Sequence, residues 1–325
     1  MTVFAALLGP RQKMAMLAAA AGLAAAAGLL AFAPRAQAAG TTYTALYAFG
    51  DSLSDVGNTY MASSHQEPVT PPYAAGHYTN GPVWVQTLAS LVGVRPLLPS
   101  LQGGTVYAYG GATATGGGGL HGGYPMDLPA QLQQFITASG GVASATALFT
   151  VEIGVNDIRN AVMAGSSDAD ISIVADKAAA ATVGVAVKLM NLGARHVMVA
   201  TPPDVSRTPS AATLTAAQVA SMTAGLQAYS ADLTARVAAL KLPAGANVSI
   251  LDIYTLLDSI IAQPASLGFS DVADACLTAN PLVPGKVRLC RTAKAVQDTY
   301  LWFDAKHPTE HGHQAIAAQA MLQLP

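Results

Sequence analysis

The chain has 325 residues, 52% of them hydrophobic and 10% charged, with a formal charge of −2. That much apolar material fills a sizeable core and excludes a disordered chain. The near-neutral balance excludes the basic footprint of a nucleic-acid binder.

The first element is a leader. Arg11 and Lys13 precede an apolar run from Met14 to Phe32, and Ala36-Gln37-Ala38 follows it. A basic start, an apolar stretch and a small-residue site are the parts of a cleavable export signal over residues 1–38. A run of this length also suits a membrane anchor, but its alanine content and the placed A-x-A site favour the signal. Residues 39–325 are then the exported chain, secreted or periplasmic. No Pro- or Ser-rich linker and no internal repeat divides it, so a single domain is expected.

Short apolar runs alternate with helical patterns from there on, the sign of an α/β sheet with crossover helices. The strands are predicted at Ala45–Phe49, Thr105–Tyr109, Leu148–Ile153, His196–Thr201 and Val248–Leu251. Pro82 is placed to start a helix whose apolar stripe is Trp84, Leu88 and Leu91. A second helix runs from Asp168 to Leu192 and stops at Gly193. A third covers Ala211–Leu240, with Met222, Leu226, Tyr229, Leu233, Val237 and Leu240 recurring at steps of three and four as a core face. The last spans Thr309–Leu324.

Two loops are too long for simple connections. Ser63–Asn80 carries Pro68, Pro71, Pro72, His65, His77, Tyr73 and Tyr78, and Gly116–Pro125 is glycine-rich around His121 and Tyr124. Cys276 and Cys290 are the only cysteines. In an exported chain they are expected to pair, closing a loop of about 15 residues worth roughly 3 kcal/mol on the chain-entropy account.

Phe49-Gly50-Asp51-Ser52-Leu53-Ser54-Asp55-Val56-Gly57-Asn58 puts a serine on the turn after the first strand, at the sheet edge where ligands gather. Hydrolysis of an ester needs a nucleophile, a base, a group to orient the base, and donors for the oxyanion. In Asp304-Ala305-Lys306-His307 a tight turn lets the carboxylate fold back onto the imidazole Nδ1, leaving Nε2 for Ser52. Ile153-Gly154-Val155-Asn156-Asp157 ends another strand, and the Asn156 amide is a donor that a carboxylate cannot replace; an Asx turn is the bland reading. Tyr109-Gly110-Gly111-Ala112 ends a third strand with backbone N–H groups open to close approach. Two rivals are weaker. His307, Glu310, His311 and His313 could form a metal cluster, but Pro308 interrupts helical spacing and H-E-x-x-H is absent; His311 is expected at the surface beside the last helix. No G-x-S-x-G elbow supports an α/β-hydrolase.

These blocks, F-G-D-S-L-S-D-V-G-N at 49–58, Y-A-Y-G-G-A-T at 107–113, I-G-V-N-D at 153–157 and D-A-K-H-P at 304–308, resemble the GDSL (SGNH) hydrolases in kind and order. The resemblance spans essentially the whole exported chain. It implies a flavodoxin-like three-layer sandwich, a five-stranded parallel sheet with helices on both faces, and no metal or organic cofactor. It implies Ser52 as nucleophile, His307 as base and Asp304 as its partner. The oxyanion hole would be the Ser52 N–H, a glycine N–H and the Asn156 side chain; Gly111 aligns better than Gly110, in a block with Val106 where the family commonly has Asn. Asp51, Asp55, Asn58 and Asp157 are expected to brace the loops.

The expected activity is that of an exported serine esterase or lipase acting on small-molecule, lipid or glycan esters, with transient contact at a lipid interface if it is a lipase. An acyltransferase, a carbohydrate deacetylase and a non-catalytic lipid- or glycan-binding relative are the alternatives. Tyr60, Tyr73, Tyr78 and Tyr124 are the candidates to wall an acyl pocket or stack on a sugar.

Overall fold

The structure, a computed structural model, describes residues 42–116, 126–278 and 288–324. These belong to one compact unit, Thr42–Pro325. The expected leader over 1–38, and His121 and Tyr124, lie outside the described residues.

Four parallel strands form the main sheet: β1 (Leu46–Gly50), β2 (Leu148–Glu152), β3 (His196–Ala200) and β4 (Asn247–Leu251), in the order β1-β2-β3-β4. Its helices are α1 (Asn58–Ala62), α2 (Trp84–Leu91), α3 (Leu128–Ser139), α4 (Val155–Met163), α5 (Asp168–Asn191), α6 (Ala216–Ala238), α7 (Ile253–Ala262) and α8 (Glu310–Leu322). Strand side chains alternate between two cores. Phe49, Phe149, Val151, Val197 and Val199 pack with α3, α4, α5 and α6. Leu46, Ala48, Leu148, Met198 and Ala200 pack with α2, α7 and α8. Both faces are therefore covered, which is why the strands read as near-continuous apolar runs.

The expected fifth strand is only partly formed. Thr105–Tyr109 runs along the free edge of β1, through hydrogen bonds from Ala48 N–H to Thr105 O, Tyr107 N–H to Ala48 O and Tyr109 N–H to Gly50 O. It makes isolated parallel bridges at Val106, one to Ala48 on β1 and one to Pro99 on its outer side, rather than a ladder. Its outer side is held by a loop and a side chain: Val106 N–H donates to Leu98 O, and Asn58 Nδ2 donates to Val106 O and Ala108 O. Counted in, this segment gives the order of a flavodoxin-like sheet, with β1 and β2 on either side of its switch point.

Local chemistry moves two helix starts. Gln86 Oε1 accepts the Val83 N–H, so the helix begins at Trp84 and Pro82 stays outside it. Thr215 and Gln218 cap each other, so α6 begins at Ala216 and residues 209–213 form a separate short turn. The stop of α5 is as expected, with Gly193 at φ 121° just past its end. A feature with no sequence signal is a small second sheet, β5 (Asp271–Ala275) with β6 (Tyr300–Trp302). It delivers the chain to Phe303 and Asp304, and the Cys276–Cys290 disulfide joins its outer end.

Candidate active site

Ser52 stands on the turn after β1. Gly50 precedes it at φ 156°, and a Cβ there would come within 2.2 Å of the Glu152 carbonyl, so this approach of β1 to β2 requires glycine. The turn is closed by Asp51, whose carbonyl accepts the N–H groups of Ser54 and Asp55 and whose Oδ1 accepts that of Leu53. Asp55 then collects the N–H groups of Gly57, Asn58, Thr59 and Gly110, pinning α1 and the second glycine block to the serine turn. Asp157 likewise holds Ala114 and Thr115.

The turn after β6 brings the distant partners in. His307 Nε2 lies 2.9 Å from Ser52 Oγ, and His307 Nδ1 lies 2.7 Å from Asp304 Oδ2. A carboxylate only accepts, so Nδ1 carries the proton and Nε2 is left to accept from the serine hydroxyl. Asp304 Oδ1 takes the N–H groups of Lys306 and His307 at 2.7 and 2.8 Å, which fixes the turn. Burial alone would raise this carboxyl, but His307, the Tyr73 hydroxyl and the Lys306 N–H hold it at about 2.

Tyr73 escaped the sequence reading in this role. Its hydroxyl donates to Asp304 Oδ2 at 2.6 Å across 231 residues of chain. Phe303 packs edge-on to it at 5.3 Å, with Leu277 and Leu289 completing the cluster beside the disulfide. The Tyr78 ring leans on His307 at 5.1 Å. The proline-rich loop thus backs the Asp304–His307 pair. Tyr60 packs against His65 instead, and the apolar cavity is walled by other residues.

That cavity opens beside Ser52 and His307. Leu256, Leu257, Ile260, Leu301, Trp302 and Ile316 form much of its wall. They come from α7, β6 and α8, and of the expected tyrosines Tyr60, Tyr73 and Tyr78 contribute none of it. No element is predicted over α7 from the sequence, and aliphatic side chains at helical spacing do not by themselves separate a core face from a pocket wall.

On the oxyanion side, Gly111 sits exposed at φ 81°, and among the described residues nothing accepts its N–H or that of Ser52. The Gly110 N–H is spent on Asp55 and Thr59. Asn156 lies in the first turn of α4 after Gly154, where a Cβ would strike the Tyr229 ring at 2.4 Å. Its Nδ2 donates to Ala112 O at 3.0 Å and, more weakly, to Asp51 Oδ2 at 3.3 Å.

Behind the serine lies a buried carboxyl pair. Burial pushes Asp51 up to about 7, against the Leu53 N–H and His307, which lower it. Glu152 is raised as well, by burial and by Asp51; Ser54 donates to its Oε2, and Oε1 has no partner among the described residues.

The four candidates for a metal cluster are engaged separately. Glu310 pairs with Lys294. His311 is half-buried, stacked on Phe269 at 4.5 Å with Nδ1 on Asp298 O, because Phe269 covers the helix start where solvent was expected. His313 Nδ1 accepts the Trp84 N–H, and burial pushes this imidazole down to about 3.

A parallel α/β sheet with a Ser–His–Asp relay at its carboxyl edge defines an acyl-transfer type of site. The chain belongs to the GDSL-like Lipase/Acylhydrolase family, whose pattern matches residues 46–320. It is 28% identical to a GDSL esterase/lipase of Arabidopsis thaliana, covering 87% of this chain and 90% of that one. It is 26% identical to a phosphatidylcholine-sterol acyltransferase of Aeromonas hydrophila over 72% of this chain and 65% of the relative. Among solved structures, an acetylxylan esterase of Geobacillus stearothermophilus superimposes with a TM-score of 0.46 at 14% identity, covering 87% of this chain and 95% of the other. Membership makes the chain an esterase, a lipase or an acyltransferase.

Proposed function

We propose that this protein is an exported, single-domain serine hydrolase that cleaves carboxylic esters of long acyl chains. The observation that carries the reading is the Ser52–His307 contact of 2.9 Å at the mouth of an aliphatic-walled cavity. His307 Nε2 takes the Ser52 proton as Oγ attacks the acyl carbonyl, and Asp304 stabilises the imidazolium through Nδ1–H. The Ser52 and Gly111 N–H groups receive the oxyanion. Asn156 joins them by turning one amide N–H from its long bond with Asp51. Collapse of the tetrahedral intermediate breaks the ester C–O bond, and the leaving alkoxide takes the proton from Nε2. Water, deprotonated by the same nitrogen, then attacks the acyl-enzyme and frees the acid. Export is supported by the formed Cys276–Cys290 disulfide and by the leader pattern at residues 1–38.

A panel of nitrophenyl esters from acetyl to palmitoyl tests this. Rates should rise with chain length, and Ser52→Ala should lower them by at least about 10⁴-fold with an unchanged melting temperature. A preference for acetyl alone would overturn the acyl-cavity reading, and an active Ser52→Ala would overturn the nucleophile. An added alcohol that diverts product to a new ester would identify acyl transfer.

A further inference from the structure

The side-chain donor of the oxyanion site is already engaged. Asn156 Nδ2 carries two hydrogens and makes two bonds, to Ala112 O at 3.0 Å and to Asp51 Oδ2 at 3.3 Å. The first bond holds the amide against the residue that follows Gly111. The second spends the remaining hydrogen, so the amide can serve a tetrahedral intermediate only when Asp51 lets go. Asp51 is fully buried on the serine turn. Its Oδ1 accepts the Leu53 N–H at 3.1 Å, so the neutral acid carries its proton on Oδ2, the atom that faces Asn156. A carboxylate oxygen there holds the amide through a charge-assisted bond, whereas a hydroxyl accepts poorly and presents a hydrogen of its own. Titratable groups face this carboxyl from several elements: Asp55 on the same turn, Glu152 at the end of β2, Asp157 on α4, Tyr229 on α6 and His307 after β6. Burial raises Asp51 to about 7 against the Leu53 N–H and His307, with Asp157 and Asp55 adding to the rise. The group facing Asn156 is therefore a neutral acid below about 7 and a carboxylate above it.

We propose that Asp51 is a positioning residue that competes with the oxyanion for the Asn156 amide: the ionised carboxyl withdraws this donor and the neutral acid releases it. Turnover then falls as pH rises through the Asp51 titration, although rising pH favours the neutral imidazole that the reaction needs. Acylation and deacylation both pass through a tetrahedral intermediate, so kcat reads the donor whichever step limits it. The inference rests on the reading of Ser52 as an ester-cleaving nucleophile and goes beyond it by placing a pH-sensitive control on the oxyanion side of the site.

The experiment follows kcat on a nitrophenyl ester from about pH 5.5 to about pH 9.5, with the spontaneous rate subtracted. Wild-type kcat should fall by at least about 10-fold over the alkaline half, a part of the roughly 10²–10³-fold that one oxyanion donor is worth. Asp51→Asn keeps an oxygen for the Leu53 N–H and removes the titration, so its kcat should stay level over the same range. Asn156→Ala should be slower throughout and equally level, because the amide that Asp51 captures is gone. Glu152→Gln, which leaves Asp51 in place, should keep the fall. A second readout needs neither turnover nor an Asp51 variant. In the proton–nitrogen NMR spectrum the wild-type Asn156 side-chain amide, assigned by its absence in Asn156→Ala, should shift with a midpoint near pH 7. An alkaline fall that persists in Asn156→Ala would overturn the competition, because Asp51 would then act on the reacting pair directly. A fall kept in Asp51→Asn and lost in Glu152→Gln would overturn the assignment to Asp51. A level wild-type profile with an unshifted amide would overturn the inference and leave ester cleavage by Ser52 standing. No cleavage of any ester at any pH would overturn the proposed function, and the inference with it.

Discussion

Asp304 and Asp51 both lie beside the Ser52–His307 pair, yet their surroundings drive the two carboxyls apart. Asp304 accepts from His307, from the Tyr73 hydroxyl and from two backbone N–H groups, and is held at about 2. Asp51 accepts the Leu53 N–H and a long bond from Asn156, with Glu152 behind it, and is pushed up to about 7. Burial disfavours charge at both positions, so it does not account for the difference. Neighbouring charge and donors do: Asp304 faces His307 and has a full set of donors, whereas Asp51 has few donors and lies near Asp157 and Asp55. One sheet edge thus keeps an anion and a readily protonated acid close together.

Removing the charge on the donor-rich side should have the largest effect. Asp304→Asn keeps the shape of the turn but no longer fixes the His307 tautomer, and kcat should fall by roughly 10⁴-fold. Steady-state kinetics on one nitrophenyl ester reads this, and a fall below about 10-fold would break the comparison. Removing one donor should cost less. Tyr73→Phe should lower kcat by roughly 10-fold with KM little changed, the worth of one hydrogen bond to a charged group. Asp304 has a lowered folded-state value, so its stabilising contribution is present above the ordinary 3.8 and is lost as pH falls towards 2. With one donor gone, the acid limb of the Tyr73→Phe melting curve should move to higher pH; an unmoved limb would make Tyr73 packing only.

The smallest effect belongs to Asp51. Its folded-state value is raised, so its contribution is fullest below 3.8 and declines as pH rises to about 7. Asp51→Asn should flatten that decline by roughly 2–4 °C in melting temperature. A wild-type slope in the variant would shift the whole dependence to Glu152.

What the sequence made legible follows the range of each interaction. Asp304 and His307 are three residues apart on one turn, so their contact could be read locally, and Ser52 could be placed because an apolar run ends just before it. The Cys276–Cys290 pairing was readable from a short separation. Tyr73 was not assigned to Asp304, because a hydrogen bond spanning 231 residues leaves no local trace. The Asp51–Glu152 pair depends on the parallel register that sets Gly50 against Glu152, which no periodicity shows. Thr105–Tyr109 has strand composition, but Asn58 and Leu98 hold its outer side and only isolated bridges at Val106 form. β5 is short and carries Asp271 and Asp274, so it lacked any strand pattern.

Trapping the covalent intermediate is the most direct measurement. The protein is incubated with a slowly deacylating long-chain ester, quenched in acid and digested for peptide mass spectrometry. One acyl group should appear on the peptide containing Ser52, accumulate before product release, and vanish in Ser52→Ala. Turnover with no adduct at Ser52 in the wild type, or an acyl group on another residue that persists in Ser52→Ala, would contradict the account.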